Sequence, residues 1–249
     1  MIPYQKFELP PIREAIVDAR VMPVSSELLK AFESPPAEFL HQYPNKDELR
    51  VVSGHAQVNL ATGDFAGGEG VTRQAGFIFK SNDGLDVVQF RLDGFTFNRL
   101  MPYTSWEDIK PKALRALDVY NSLVSSPTYT RLALRYINRI SLPAANLELE
   151  DYMSCPPAIP EGAPKSVAGF LTRVEIVDAE RGLFAVLIQT LGDSGNQELV
   201  DWIVDIDAYC PLSLKGNNEK IQTTFEHLRK LKNDVFFGSL ESKVMEIIT

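Results

Sequence analysis

Alternation of apolar and polar residues is the pattern that most constrains how this chain folds. In residues 12–22, apolar side chains at every second position are separated by Glu14, Asp18 and Arg20. Successive side chains of a strand point to opposite faces of a sheet, so this period of two predicts a strand with one buried face. The same period recurs in residues 85–93 and 128–142. A chain with several such strands needs a layer that covers their shared apolar face.

Two long segments have helical rather than strand spacing, and they can supply that layer. In residues 105–124 and 218–236, large apolar residues recur every three or four positions. Shorter helices are predicted for residues 25–33 and 239–248, and further strands for residues 50–61, 76–81, 95–100, 167–177, 183–191 and 199–209. We therefore predict an α+β fold, an antiparallel sheet with helices packed on one face. A glycine-rich loop at 63–70 lacks the spacing of a phosphate-binding loop.

Five prolines between residues 143 and 164 interrupt these patterns. We expect an N-terminal α+β half at 1–143, a Pro-rich connector at 144–164 and an acidic C-terminal α+β half at 165–249. A connector of this length indicates a linking loop rather than packed structure. Each half ends with strands followed by a long helix, which suggests two similar strand-strand-strand-helix halves.

The charge is divided unevenly along the chain. Residues 1–143 hold 16 basic and 16 acidic residues, whereas residues 144–249 hold 9 basic and 17 acidic residues, so the whole net charge of −8 lies in the C-terminal part. A protein that binds DNA or RNA needs a basic face, which makes nucleic acid an unfavoured partner. The excess of acidic residues either keeps the protein soluble or attracts a protein partner with a basic surface.

The chain also lacks the features of exported or membrane proteins. Its N-terminus has no basic region followed by an apolar region, and its longest apolar run, 183–188, is far shorter than the ~20 residues of a membrane span. Cys155 and Cys210 belong to no metal-binding motif, and a pair of idle thiols is favoured over a disulfide. We therefore expect a cytoplasmic bacterial protein with no membrane partner.

Charged residues at alternate positions give several strands a polar face. Arginines occupy one face of the strand 131–139, and aspartates occupy one face of the strand 201–207. One interpretation is a solvated sheet face with cross-strand ion pairs. A second is a face that binds a protein partner. A third is a cleft in which arginines bind a phosphorylated ligand and carboxylates bind Mg²⁺. The candidate ligand-binding residues are then Arg91, Arg131, Arg135 and Arg139, and the candidate metal ligands are Glu175, Asp205 and Asp207.

Two further expectations concern individual side chains. Asp93 is the nearest acidic candidate for a partner of Arg135, and we predict an ion pair between them. The three histidines, His41, His55 and His227, have no second ligand or catalytic partner at a helix or strand spacing. The sequence therefore gives no catalytic residue, and leaves open whether the protein is an enzyme.

Three segments of the chain carry a further signal: LPPIREAIVD at 9–18, the segment 79–108 that begins FKSNDGLDVVQFRLDG, and LALRYINRI at 132–140. They resemble an uncharacterised, sporadically distributed bacterial protein family of similar length. The resemblance covers most of residues 9–140 and is looser beyond them. It brings no activity, cofactor or catalytic residue. The family's patchy occurrence implies accessory genes, such as those for defence or toxin neutralisation.

Two hypotheses about function follow. The first is a non-enzymatic protein-interaction or regulatory module without a cofactor, whose partner has a basic surface; self-association into a homo-oligomer stays open. The second is a metal-assisted phosphohydrolase or nucleotide-binding protein that uses Mg²⁺ and the charged strand faces.

Overall fold

A computed structural model describes residues 7, 10–53, 56–58, 65–67, 71–164, 166–216 and 218–248. The strands are β1 Ile12–Val21, β2 Asn45–Ser53, β3 Ala56–Val58, β4 Phe65–Gly67, β5 Val71–Lys80, β6 Asp86–Arg91, β7 Gly94–Leu100, β8 Thr128–Pro143, β9 Leu171–Asp178, β10 Leu183–Asp193 and β11 Leu199–Lys215. The helices are α1 Leu29–Glu33, α2 Ala37–Gln42, α3 Trp106–Val124, α4 Asn218–Gly238 and α5 Ser242–Ile248. Among these residues, no helix has the length and apolar character that crossing a bilayer requires.

Nine of the strands form one sheet in the order β2-β5-β6-β7-β1-β8-β11-β10-β9, while β3 and β4 pair separately. Neighbouring strands of the large sheet are antiparallel. Apart from β2 at one edge, the order is symmetric about the β1–β8 pair: β1 pairs with the third strand of the β5-β6-β7 meander, and β8 pairs with the third strand of the β9-β10-β11 meander. Each meander is followed by a long helix, α3 or α4. The predicted α+β fold with an antiparallel sheet is confirmed.

The predicted apolar faces of the central strands form the core beneath the helices. Ala15, Val17, Ala19 and Val21 of β1 are buried, and so are Ile221, Phe225 and Leu228 of α4. Aromatic rings surround Phe90, with centroid distances of 5.0 Å to Phe39 and 5.8 Å to Tyr120 of α3. The alternation in residues 85–93 predicts that Phe90 and Leu92 are both buried, but Leu92 is only half-buried because β6 ends at Arg91.

Residues 1–143 and 165–249 share this one sheet, because β8 pairs with β11 along most of its length. The expectation of an unpacked connector is wrong for part of residues 144–164. Leu149, Tyr152 and Met153 are buried, and Met153 forms an isolated bridge with Leu240. These apolar side chains complete a second core cluster beside Trp202 and α5.

The edge strand β2 departs from its predicted pattern. In the strand predicted for residues 50–61, the alternation of apolar and polar residues places Val52 on the inner face, yet Val52 is 67% exposed. A register shift between Leu49 and Arg50 interrupts the pairing with β5, and such an irregularity breaks the alternation of faces. Of the other positions predicted for this strand, His55 and Leu60 lie outside the described residues, as does most of the glycine-rich loop at 63–70.

Candidate functional site

The sequence-predicted residues lie on the face of the sheet opposite the helices, which we call the charged face. Strand alternation puts them there because the other face of each strand carries the apolar core. The charged face contains Glu14, Asp18, Arg20, Arg91, Arg131, Arg135, Arg139, Asp201, Asp205 and Asp207. Glu175 lies on β9, separated from β11 by β10.

Arg135 makes a two-point contact with Asp205, not with Asp93 as predicted. Its Nε and Nη2 atoms donate to the two carboxylate oxygens at 2.9 and 2.6 Å. The sequence prediction was wrong because β8 pairs with β1 and β11, whereas Asp93 lies next to β6 and β7. Asp93 instead contacts Arg20 at 2.6 Å. The carboxylate of Asp205 raises the pKa of the Arg135 guanidinium further.

A chain of alternating charges continues across the sheet. Asp18 accepts from Arg91 at 3.1 Å and from Arg131 at 3.4 Å, and Arg131 donates to Asp207 at 2.6 Å. Burial raises the pKa of Asp207, and Arg131 partly offsets this rise. The guanidinium of Arg131 also lies over the Tyr209 ring, 4.6 Å from its centroid.

The remaining predicted residues have partners as well. Arg139 donates to the buried Asp201, which also accepts from Ser141 at 2.7 Å. Glu175 accepts from the Tyr209 hydroxyl at 2.6 Å. Within the described part of the chain, no three His, Cys, Asp or Glu side chains are grouped so as to hold a metal ion. Each candidate arginine already contacts a carboxylate, and binding of a ligand here stays a prediction.

The pair of Arg135 and Asp205 should be energetically coupled. In a double-mutant cycle of Arg135→Ala and Asp205→Ala, we expect a coupling of about 1 kcal/mol, because the contact is bidentate and Asp205 is mostly buried. Urea denaturation of the four proteins measures it. The exposed pair of Lys80 and Asp47 is the control, with an expected coupling below about 0.5 kcal/mol. Equal coupling energies for the two pairs would contradict the assignment of Arg135 and Asp205 as a bidentate, mostly buried ion pair.

A second candidate site, absent from the sequence predictions, is a cavity of about 400 Å³ under α4. The start of α3, the strand β8 and the segment before β1 complete its walls. Most of its lining is apolar or aromatic, including Phe7, Tyr103, Trp106, Tyr136, Phe236 and Phe237. Its charged lining residues are Glu107, Arg229 and Lys232.

Lys232 is the unusual group of this cavity. Its Nζ atom lies 3.9 Å from the centroid of the Tyr136 ring. Among the described residues, no carboxylate lies within ion-pair distance of this ammonium. Burial, with a smaller contribution from the positive charge of Arg229, lowers the pKa of Lys232 to about 7. Within the part of the chain that the structure describes, Lys232 is thus a buried cation without a carboxylate partner.

The other polar groups of the cavity are fixed by contacts of their own. Arg229 donates to Glu107 at 2.9 Å and lies 3.8 Å from Glu226. The hydroxyls of Tyr103 and Tyr136 lie 3.4 Å apart, and burial raises the pKa of both. These tyrosines therefore stay neutral near pH 7 and offer hydroxyl groups rather than charges to a ligand.

One signal in the sequence points to this site. Lys232 follows Phe225 and Leu228 at three- and four-residue spacing, so it falls on the apolar face of α4. A lysine there is unusual, because charged side chains are rarely buried without a partner. The walls, however, come from distant segments that the sequence does not connect. No family model, curated protein or solved structure matches this chain.

Proposed function

We propose that this protein is a non-enzymatic regulatory module that binds a small organic anion in the cavity under α4. The observation that carries this proposal is the ammonium of Lys232 among aromatic walls, where the residues that the structure describes offer it no carboxylate partner. A carboxylate or sulfonate would neutralise that charge, and its apolar body would contact the rings. Pockets for small molecules combine mostly apolar walls with a few polar groups in this way.

The cavity also limits what the ligand is. A volume of about 400 Å³ is near the lower end of the 300–1,000 Å³ typical of ligand pockets, which favours a compact ligand. Aromatic walls favour a flat apolar body. Glu107, at the side of Arg229, disfavours a second negative charge on the ligand. We therefore infer a monoanion with one or two rings or an equivalent aliphatic body.

Thermal stabilisation by matched probes tests this proposal. We expect 1-naphthoate to raise the melting temperature at pH 6.5 and the neutral 1-naphthamide to raise it much less. A ligand at 100 times its Kd stabilises a protein by about 2.7 kcal/mol. Lys232→Met should remove the preference for the carboxylate. Lys230→Met is the control, since Lys230 is exposed on the same helix and pairs with Asp234 at 2.8 Å.

The pH dependence of binding gives a second criterion. Only the protonated amine attracts the carboxylate, so the affinity for 1-naphthoate should fall as the pH rises above about 7. The affinity for 1-naphthamide should not change over the same range. A carboxylate preference that survives in Lys232→Met, or equal affinities for the two probes in the natural protein, would contradict the proposal.

We also propose that the acidic C-terminal part, residues 144–249, binds a protein partner. Its net charge of −8 favours a partner with a basic surface, as in a toxin-neutralising or defence role. Cys155 and Cys210 are both free thiols, which suits the reducing bacterial cytoplasm where we propose that the protein acts. The Mg²⁺-dependent alternative has less support, since the arginines that it needs are engaged with carboxylates.

A further inference from the structure

The two edges of the nine-stranded sheet differ in how they are protected. At one edge, β2 carries Lys46, Asp47, Glu48 and Arg50, and charges of this kind discourage pairing with another chain. At the other edge, β9 has the sequence LTRVEIVD, which is rich in β-branched residues and lacks proline and lysine. Its charged residues are Arg173, Glu175 and Asp178, and the apolar Val174 separates the first two from each other. Strand β9 is therefore a ready template for a further strand.

Apolar side chains of β9 are exposed to an unusual degree. Leu171, Val174 and Val177 are 73%, 49% and 58% exposed. Leu171 and Val177 share the face of Arg173 and Glu175, whereas Val174 points to the opposite face. A strand added at this edge would cover apolar surface on both faces of the sheet, which is favourable in water.

We propose that β9 pairs with β9 of a second copy of this chain. The two strands run antiparallel across a twofold axis perpendicular to the sheet, with Val174 opposite Val174 of the second copy. The two nine-stranded sheets then form one continuous sheet. This inference does not depend on the ligand proposed for the cavity.

The charges of β9 favour this register over its neighbours. A twofold axis perpendicular to the sheet pairs residues whose side chains lie on the same face of the sheet. The register of the two strands can therefore change only in steps of two residues, and each step moves the axis by one residue along β9. With Val174 on the axis, Arg173 lies opposite Glu175 of the second copy, and Leu171 lies opposite Val177. Moving the axis by one residue puts either two Arg173 or two Glu175 side chains opposite each other. Like charges at such positions are destabilising, and opposite charges are stabilising.

The size of the contact predicts a reversible dimer. Stable interfaces bury roughly 800 Å² per partner, and one pair of short strands buries less. We therefore expect a monomer–dimer equilibrium that depends on concentration, which sedimentation equilibrium of the full chain measures directly. Val174→Lys should raise the dimer dissociation constant at least tenfold, because two ammonium groups meet at the axis. Val52→Lys, the same change on the exposed part of β2, should leave it unchanged.

Charge reversal tests the register itself. Arg173→Glu and Glu175→Arg should each weaken self-association, since each places like charges opposite each other. An equimolar mixture of these two variants should form a heterodimer, and the double variant should recover the homodimer. Recovery also shows that the substituted chains are folded. A natural protein that stays monomeric at millimolar concentration, or a dimer that Val174→Lys does not weaken, overturns the proposal. A double variant that fails to recover overturns the register.

Discussion

Replacing Lys232 by methionine is expected to stabilise the protein at pH 6 by roughly 2–4 kcal/mol. Lowering the pKa of a lysine from 10.5 to about 7 corresponds to about 5 kcal/mol, at ~1.4 kcal/mol per pKa unit. Lys232 is partly accessible through the cavity, and that access reduces the cost. Methionine keeps the apolar stem and removes the charge that burial disfavours.

This stabilisation should depend on pH in a defined window. Between pH 7 and 10.5 the unfolded chain retains the proton that folded Lys232 loses, so the stability of the natural protein rises with pH. The advantage of Lys232→Met is therefore complete below pH 7 and shrinks towards zero near pH 10.5. The neighbouring tyrosines, Tyr103 and Tyr136, have raised pKa values, so they add nothing to the difference below pH 9.5. Arg229 and Glu107 are the other charged groups that line this cavity.

Urea denaturation of both proteins at pH 6 and pH 9.5 measures the effect. Lys230→Met is again the matched control, and its free energy of unfolding should change by less than about 0.5 kcal/mol at either pH. A gain for Lys232→Met that is the same at both pH values would mean that the ammonium is not destabilised by burial.

Replacing Asp86 by alanine is expected to cost about 3–5 kcal/mol. Asp86 accepts from Arg99 at 3.0 Å and from Lys112 at 2.6 Å, and the side chains of Asp86 and Arg99 are 6% and 9% exposed. Both lie on the helix-covered side of the sheet. Without Asp86, Arg99 would remain buried with an uncompensated charge, which is the costly case for a buried ion pair.

Thermal and urea denaturation can separate the cost of the uncompensated Arg99 charge from a simple loss of packing. The variants to compare are Asp86→Ala, Asp86→Leu combined with Arg99→Met, and Asp47→Ala. Asp86→Leu combined with Arg99→Met should recover most of the stability, because an apolar pair of similar volume carries no desolvation cost. Asp47→Ala, which removes an exposed partner of Lys80, should cost less than about 1 kcal/mol. A loss for Asp86→Ala as small as that for Asp47→Ala would show that the buried pair contributes little.

Sequence alone determined which residues of a strand or helix face the core. Ala15, Val17 and Phe90 are buried as the alternation predicts, and Phe225 and Leu228 are buried as the helical spacing predicts. These properties are local, because backbone geometry sets the direction of each side chain. Val52 and Leu92 are exceptions, because a register shift breaks the alternation in the edge strand β2 and because β6 ends before Leu92.

The tertiary structure alone decided which groups meet. Arg135 contacts Asp205 rather than Asp93 because the sheet order puts β11, not β6 or β7, beside β8. Asp86 and Arg99 meet beneath the helices, and Lys232 comes to lie against Tyr136, almost a hundred positions away in the chain. Strand order and register arise from long-range packing of the whole core. A periodic pattern in one segment holds no information about its neighbours in space, so it fixes the faces of the sheet but not the partners across them.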